Sequence, residues 1–184
     1  MIIGLTGTLS SGKDQVSEYL MTKGFKHHSL SDILREIAEE RGIEKTRDNL
    51  RELANEVAKE QSAESLAREA LARVGDAKEG NFIISAIRKP EEVKLLKQRP
   101  DFIFIAVDAD PTLRWERSQK RAREGEHRQT FEEFIAKEKA ETSGHNVQRL
   151  DLCISMADYK VMNNGTIEDL NKKVDEILKE NNIK

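Results

Sequence analysis

The stretch GTLSSGKD at residues 7–14 decides the fold, because its two glycines and its lysine have the spacing G-x-x-x-x-G-K of a phosphate-binding loop. It follows the apolar run MIIGLT and precedes a segment with helical spacing, which predicts a strand, a turn and a helix in that order. Main-chain N–H groups of such a turn, together with the helix N-terminus, attract phosphate, and Lys13 is expected to reach the terminal phosphates. A tight turn with an exposed lysine is the simpler alternative, which the strand-turn-helix context disfavours.

Composition limits the classes of protein to consider. The chain has 184 residues, of which 37% are hydrophobic and 35% charged, so one compact domain over residues 1–184 is expected. A net charge of -3 disfavours a general binder of nucleic acid or anionic membrane. Cys153 is the only cysteine, which excludes an intrachain disulfide and favours a reducing cytosol. The longest apolar run, FIFIAV at 102–107, is too short to span a bilayer, so we expect a cytoplasmic protein with neither nucleic acid nor membrane as partner.

Strands and helices alternate along the chain, which predicts an α/β fold with a parallel sheet. The buried-strand candidates are IIGL at 2–5, FKHHSL at 25–30, FIIS at 82–85, FIFIAV at 102–107 and the weaker YKVMN at 159–163. Residues 31–75 repeat apolar side chains at helical spacing, so several helices are expected there. Thr166 is expected to begin the last helix.

Two further segments offer charged groups suited to a phosphate acceptor. Asp32 and Arg35 lie at a helix start in SLSDILRE, and Arg88 follows FIIS, at a strand end where open α/β sheets bind ligands. Arginine can grip a phosphate through two hydrogen bonds. Two simpler interpretations stay open at this point: Arg88 could form a surface ion pair with Glu91 or Glu92, and Asp32 could simply complement the helix dipole.

The segment 114–134 is rich in arginine and predicts a lid. Arg114, Arg117 and Arg121 recur at helical steps and share a helix face, while Arg123 and Arg128 flank the turn-like EGEH. Closure of such a lid would exclude water and bring guanidinium groups to a moving phosphoryl group. A solvated charged face is the alternative, since glutamates are interspersed.

These segments together resemble the signature regions of nucleoside monophosphate kinase-like P-loop proteins, most of all the deoxynucleoside monophosphate kinase and dephospho-coenzyme A kinase branches. GTLSSGKD, SLSDILRE, SAIRKPEE, VDADPTLRWERSQKR and ADYKVMNNGTIEDL carry the resemblance across nearly the entire chain. It implies a five-stranded parallel sheet in the order 2-3-1-4-5 flanked by helices, with an acceptor-binding arm at about 31–75 and an arginine-rich lid at about 114–134.

The resemblance also implies roles for individual residues. Arg35 and Arg88 would hold the acceptor, Arg117 would stack on adenine, and Arg121 with Arg123 or Arg128 would complete the transfer clamp. The residues implied to contact ATP are Gly7, Thr8, Leu9, Ser10, Ser11, Gly12, Lys13, Asp14, Arg117, Asn164, Gly165 and Thr166.

The chain departs from the family pattern at two positions. Asp14 stands where the loop usually has the hydroxyl residue that holds magnesium, and Ser85 stands where many relatives end the third strand with an aspartate. We hypothesise that the metal-organising carboxylate has moved from the third strand to Asp14, since Mg²⁺ accepts oxygen ligands directly or through water.

The sequence therefore predicts ATP- and magnesium-dependent phosphoryl transfer to a small phosphorylated metabolite, foremost a nucleoside or deoxynucleoside monophosphate. Such an acceptor already has an anionic oxygen, whereas a hydroxyl acceptor of the dephospho-coenzyme A type would benefit from Asp32 as a base. A nucleotide-binding regulator or slow ATPase is a second possible function, and a nucleic-acid module using the basic cluster at 114–128 is a third. The acceptor's identity and the oligomeric state stay open.

Overall fold

The computed structural model describes residues 1–75, 80–121, 128–142 and 149–183. Its centre is a five-stranded sheet in the order β2-β3-β1-β4-β5, in which every pairing is parallel. Ile3 lies opposite Ile83 on one side and Ile103 on the other. The sheet order implied by the resemblance is thereby confirmed. The strands are β1 (Ile2–Gly7), β2 (Lys26–Ser29), β3 (Phe82–Ser85), β4 (Phe102–Asp108) and β5 (Tyr159–Met162).

Helices cover both faces of the sheet, as parallel strands require for their crossover connections. Thr46 and Thr166 begin α3 and α9, respectively, and each accepts a hydrogen bond from a main-chain N–H three residues on. The helices are α1 (Lys13–Thr22), α2 (Leu30–Glu40), α3 (Arg47–Glu60), α4 (Ser65–Val74), α5 (Pro90–Leu96), α6 (Pro111–Arg121), α7 (Phe131–Thr142), α8 (Leu150–Ser155) and α9 (Ile167–Glu180).

Alternate side chains of the central strands build two cores. Ile3, Leu5 and Val107 pack with α1 and α9 on one face. Ile2 and Phe104 pack on the other face with α2 to α5 and α8, where Cys153 is fully buried as a small core residue. Within the described ranges, none of the helices is long and apolar enough to cross a membrane. The carboxyl ends of β1, β3 and β4 lie side by side, which is the edge where open α/β sheets bind ligands.

Candidate phosphate-transfer site

The backbone of the loop between β1 and α1 adopts φ angles that most residue types rarely adopt. Ser10 has a φ of 59° and Gly12 a φ of 99°, both in the left-handed region. A Cβ on Gly7 would lie 2.3 Å from the carbonyl oxygen of Val107 and 2.9 Å from Ser11 Oγ. The φ angle at position 12 and the close neighbours at position 7 therefore each require a glycine. Helix α1 begins directly after this turn, at Lys13.

The end of β5 supports this loop from outside. Asn163 is 7% exposed, and its Nδ2 donates a hydrogen bond of 2.8 Å to the carbonyl oxygen of Ser11. Its main-chain N–H donates to the carbonyl oxygen of Asp108 at 2.7 Å. A Cβ on Gly12 would lie 2.2 Å from Asn163 Nδ2, so the amide fits only against a glycine. Sequence reasoning named Asn164 and missed Asn163.

Asp108 supports the loop from the end of β4. Thr8 Oγ1 donates to Asp108 Oδ1 at 2.5 Å, and the N–H of Ala109 donates to the same oxygen at 2.8 Å. Arg114 Nε lies 3.5 Å from it. Asp108 was also missed, although a carboxylate directly after the apolar run FIFIAV was a usable signal, because carboxyl ends of parallel strands meet at one edge.

Two buried donors around the loop have no hydrogen-bond partner among the described residues. They are the hydroxyl of Ser11 and Nη1 of Arg117. Since buried polar groups are nearly always paired, both fit a ligand that supplies acceptor oxygens, such as a nucleotide. Arg117 Nη2 donates to the carbonyl oxygen of Asn163 at 3.0 Å, which holds this arginine beside the loop.

Lys13 and Asp14 form an ion pair at the start of α1. The Lys13 side chain is 23% exposed and that of Asp14 is 50% exposed, so both can be reached by a nucleotide and its metal. No cluster of three or more His, Cys, Asp or Glu side chains suited to a metal occurs among the described residues. An Mg²⁺ here would therefore rely on Asp14, phosphate oxygens and waters, which suits the preference of this ion for retaining several waters.

At the end of β3, a hydrogen-bonded pair occupies the position where the family resemblance implies an aspartate. Ser85 Oγ lies 2.7 Å from His27 Nε2, and Ser85 is 4% exposed. Partial burial lowers the pKa of His27, with Asp32 acting in the opposite direction. The imidazole therefore favours its neutral form beside the loop.

A cavity of about 360 Å³ opens beside the loop, and Leu9 of the loop is part of its wall. Arg35 and Arg88, predicted from separate segments, both line it. Among the described residues, Asp32 does not line the cavity. It lies at the surface, where it accepts a 2.6 Å hydrogen bond from Arg35 Nη1. The residues that line the cavity are Leu9, Leu30, Ser31, Leu34, Arg35, Lys45, Leu50, Arg51, Ala54, Leu66, Ala86, Arg88, Lys89 and Glu92.

Glu92, on α5, is part of the wall of the cavity. Its Oε2 accepts hydrogen bonds from the main-chain N–H groups of Arg88, at 2.9 Å, and of Lys89, at 3.0 Å. Burial raises the pKa of Glu92 to about 7, against the effect of these bonds and of Lys89. The carboxylate thus caps α5 and fixes the backbone that carries Arg88.

The arginines of the lid segment have different environments. Arg114 is 4% exposed, donates from Nε to the carbonyl oxygen of Ala109 at 2.9 Å and pairs through both Nη atoms with Glu138 of α7. It joins α6 to α7 through this internal contact, which the predicted helix face shared with Arg117 and Arg121 did not indicate. Arg128 is exposed. The side chain of Arg121 and all of Arg123 lie outside the described residues.

In the loop at residues 164–166, the side chains of Asn164 and Thr166 form hydrogen bonds with neighbouring residues of the protein. Asn164 Oδ1 accepts a hydrogen bond of 2.9 Å from the N–H of Asp110, and Thr166 exchanges hydrogen bonds with Asp169 at the start of α9. A Cβ on Gly165 would lie 2.6 Å from Asp169 Oδ2. Any contact of this loop with a nucleotide would therefore come from its backbone.

Comparison with known proteins agrees with this geometry. Residues 3–143 match the family model AAA_18, described as an AAA domain. Solved structures share the fold: TT1252 from Thermus thermophilus has a TM-score of 0.62 at 23% identity, covering 98% of this chain and 97% of that one. Shikimate kinase from Aquifex aeolicus has a TM-score of 0.57 at 18% identity, covering 98% of both chains. Fold and loop thus define the class, a P-loop NTPase domain with a kinase-like topology.

The chain belongs to the AAA_18 family and to the UPF0200 proteins. UPF0200 protein PH1008 of Pyrococcus horikoshii is 30% identical over 183 residues, covering 97% of this chain and 96% of its own.

Proposed function

We propose that this protein transfers the γ-phosphoryl group of ATP, in the presence of Mg²⁺, to a small phosphorylated metabolite, with a nucleoside or deoxynucleoside monophosphate as acceptor. One observation carries the proposal: Leu9 of the phosphate loop also forms part of the wall of a cavity that Arg35 and Arg88 line. A donor-phosphate site and a site for an anionic second substrate therefore share a boundary, as phosphoryl transfer between two bound nucleotides requires.

The residues around the loop would bind the donor. Main-chain N–H groups of residues 7–14 and the free hydroxyl of Ser11 face the phosphates, and Lys13 reaches the terminal ones once its contact with Asp14 is exchanged for the nucleotide. Asp14 is assigned to Mg²⁺, which supplies neutralisation of phosphate charge when bound. Arg117, held by Asn163, uses Nη1 toward the nucleotide, and its guanidinium plane is assigned to the adenine.

The cavity residues would bind the acceptor. Arg88 is assigned to its phosphate through paired N–H groups, with Arg35 as a second cation. An acceptor phosphate oxygen is already anionic, so the reaction needs positioning and charge neutralisation more than a base. Arg121 and either Arg123 or Arg128 are assigned to the moving phosphoryl group. If the acceptor were a hydroxyl, Asp32 would be the candidate base, with its ion pair to Arg35 opening first.

The test is release of ADP from Mg·ATP in the presence of each ribo- and deoxyribonucleoside monophosphate, dephospho-coenzyme A or phosphomevalonate. We expect release that depends on a monophosphate acceptor. Arg88→Met should abolish it while ATP still binds, whereas Arg68→Met, which removes an exposed arginine paired with Glu64 on α4, should leave it unchanged. ADP formation at one rate with every acceptor and with none would overturn the proposal.

That last outcome would support a second candidate function, a nucleotide-binding regulator or slow ATPase. The specific observation in its favour is that Ser85, bonded to His27, occupies the strand end where many relatives have an acid.

A further inference from the structure

Lys89 is a buried cation in the wall of the acceptor cavity, and it was not among the predicted site residues. The residue is 2% exposed and is one of the largest fully buried side chains of the described protein. Its Nζ donates a hydrogen bond of 3.1 Å to the carbonyl oxygen of Ala54. Within the described ranges, this ammonium forms no other hydrogen bond. An ammonium group has several N–H donors, so the bond to Ala54 leaves others available to a ligand of the cavity that Lys89 lines.

No carboxylate of the described residues forms a direct ion pair with this ammonium. Glu92 attracts Lys89 through space, but Glu92 Oε2 is bound by main-chain N–H groups at the start of α5. Burial lowers the pKa of Lys89, which shows that desolvation outweighs the attraction of nearby carboxylates. Burial of an ammonium with unused donors costs free energy unless another group supplies acceptor atoms, and a ligand in the cavity that Lys89 lines can supply them.

The rest of the wall indicates what kind of group this is. Leu30, Leu34, Leu50 and Leu66 make much of the cavity apolar, which suits the faces of a planar base. Arg35 and Arg88, which also line the cavity, suit the phosphate. Of the other cations in the wall, Lys45 and Arg51 form ion pairs at the surface with acidic side chains. Lys89 is the buried cation of the wall, and its ammonium group can only donate to a polar edge of the base.

We infer that Lys89 is a specificity-determining residue that donates to a carbonyl oxygen of the acceptor base, so the acceptor carries an oxo-substituted base such as guanine, uracil or thymine in preference to adenine. Guanine offers O6 beside N7, and thymine offers O4, whereas adenine shares the N7 acceptor but presents an amino donor in place of the oxo group. The inference rests on the proposed function, because it assumes that the cavity binds a nucleoside monophosphate.

Calorimetric titration of the whole protein with GMP, UMP, dTMP and AMP tests this inference. We expect the oxo-substituted nucleotides to bind wild type at least ~10-fold more tightly than AMP, as for a hydrogen bond to a charged donor. Lys89→Met keeps the length of the side chain without its donors, and should bring the Kd values of GMP and AMP together. Lys45→Met is the matched comparison, because Lys45 lines the same cavity but is exposed and paired with Glu39. It should weaken all four ligands by a similar factor and preserve their ranking.

The order of the four Kd values for wild type tests the inference even if Lys89→Met does not fold. Thermal melting shows whether that variant folds. If AMP binds wild type as tightly as GMP or more tightly, Lys89 does not read a carbonyl group, while the proposed function stands. A folded Lys89→Met protein that retains the full preference for oxo-substituted bases also overturns the role of Lys89. If none of the four nucleotides binds, the proposed acceptor class and this inference fall together.

Discussion

Thr8 Oγ1 and Asp108 Oδ1 lie 2.5 Å apart, which joins the phosphate loop after β1 to the end of β4 by a side-chain hydrogen bond. Asp108 also accepts from the N–H of Ala109 and lies near Arg114, so it is itself held in place. The loop is therefore stabilised by residues about a hundred positions away in sequence. Such support keeps the phosphate-binding N–H groups oriented before the nucleotide arrives.

Thr8→Val should weaken ATP binding severalfold and lower the free energy of unfolding by about 1 kcal/mol, because it removes this hydrogen bond but keeps the shape of the side chain. Titration with Mg·ATP and urea denaturation measure the two effects. Thr22→Val is the control: its hydroxyl donates at 2.6 Å to the carbonyl oxygen of Tyr19 at an exposed position near the end of α1. An equal loss of ATP affinity in both variants would contradict a specific role for the bond to Asp108.

Gly12→Ala should destabilise the protein and raise the Kd of ATP at least ~10-fold, because the substitution disturbs the orientation of the phosphate-binding backbone. The new Cβ would meet Asn163 Nδ2 at 2.2 Å, in addition to the strain of a φ of +99°. Gly24→Ala separates these effects, since Gly24 has a φ of +88° and a Cβ added there would have nothing within 4 Å. It should lose only roughly 1 to 2 kcal/mol from backbone strain and bind ATP normally. Similar unfolding free energies and ATP affinities in both variants would show that the contact with Asn163 is unimportant.

Asp14→Asn should raise the Mg²⁺ concentration needed for half-maximal ATP binding, whereas Asp14→Ser, which restores the usual hydroxyl, should raise it less. The same substitutions also free Lys13 from its ion pair with Asp14, so ATP binding in the presence of EDTA is the control and should not weaken. If both variants bind Mg·ATP and turn over as wild type does, the carboxylate has no role in holding the metal.

Glu92 should make stability fall with rising pH. Burial raises the pKa of Glu92 from its usual 4.5 to about 7 in the folded protein, so the folded state binds more protons than the unfolded state between these values. The contribution of Glu92 is therefore largest below about pH 4.5 and is lost as the pH rises to about 7, by about 3 kcal/mol in all. Glu92→Gln, which keeps an oxygen for the main-chain N–H groups of Arg88 and Lys89, should lack this change.

The measurement is the free energy of unfolding of wild type minus that of Glu92→Gln, followed from pH 4.5 to 8. Taking the difference removes the contributions of other groups that titrate in this range, such as His27 and His28, whose pKa values burial lowers. A difference that stays constant with pH would contradict the assignment of a raised pKa to Glu92.

Features of the site that lie within one continuous stretch of the chain were predictable from sequence. The phosphate loop is local, so its spacing identified it, and the buried strand that precedes Arg88 was recognisable from its apolar run. Arg35 and Arg88 were expected to act together, and the structure brings both to one cavity. The order of the strands came from resemblance to a family, since composition and periodicity do not specify which strands pair.

Residues whose importance depends on contacts distant in sequence were not predictable. Asn163 supports Ser11 across 152 positions and Lys89 reaches Ala54 across 35, and neither contact leaves a local pattern. The contact made by Arg114 was not predictable for the same reason. Helical spacing places it on one helix face with Arg117, whereas its pairing with Glu138 depends on how α7 packs against α6.

Phosphorus-31 NMR of the protein with Mg·ATP and a mixture of nucleoside monophosphates tests the phosphotransferase proposal most directly. We predict that the ATP resonances decline while those of ADP and of a nucleoside diphosphate formed from the acceptor appear, without a matching rise in inorganic phosphate. Lys13→Met should show neither product. Conversion of ATP to ADP and inorganic phosphate at the same rate with and without the monophosphates would contradict the proposal.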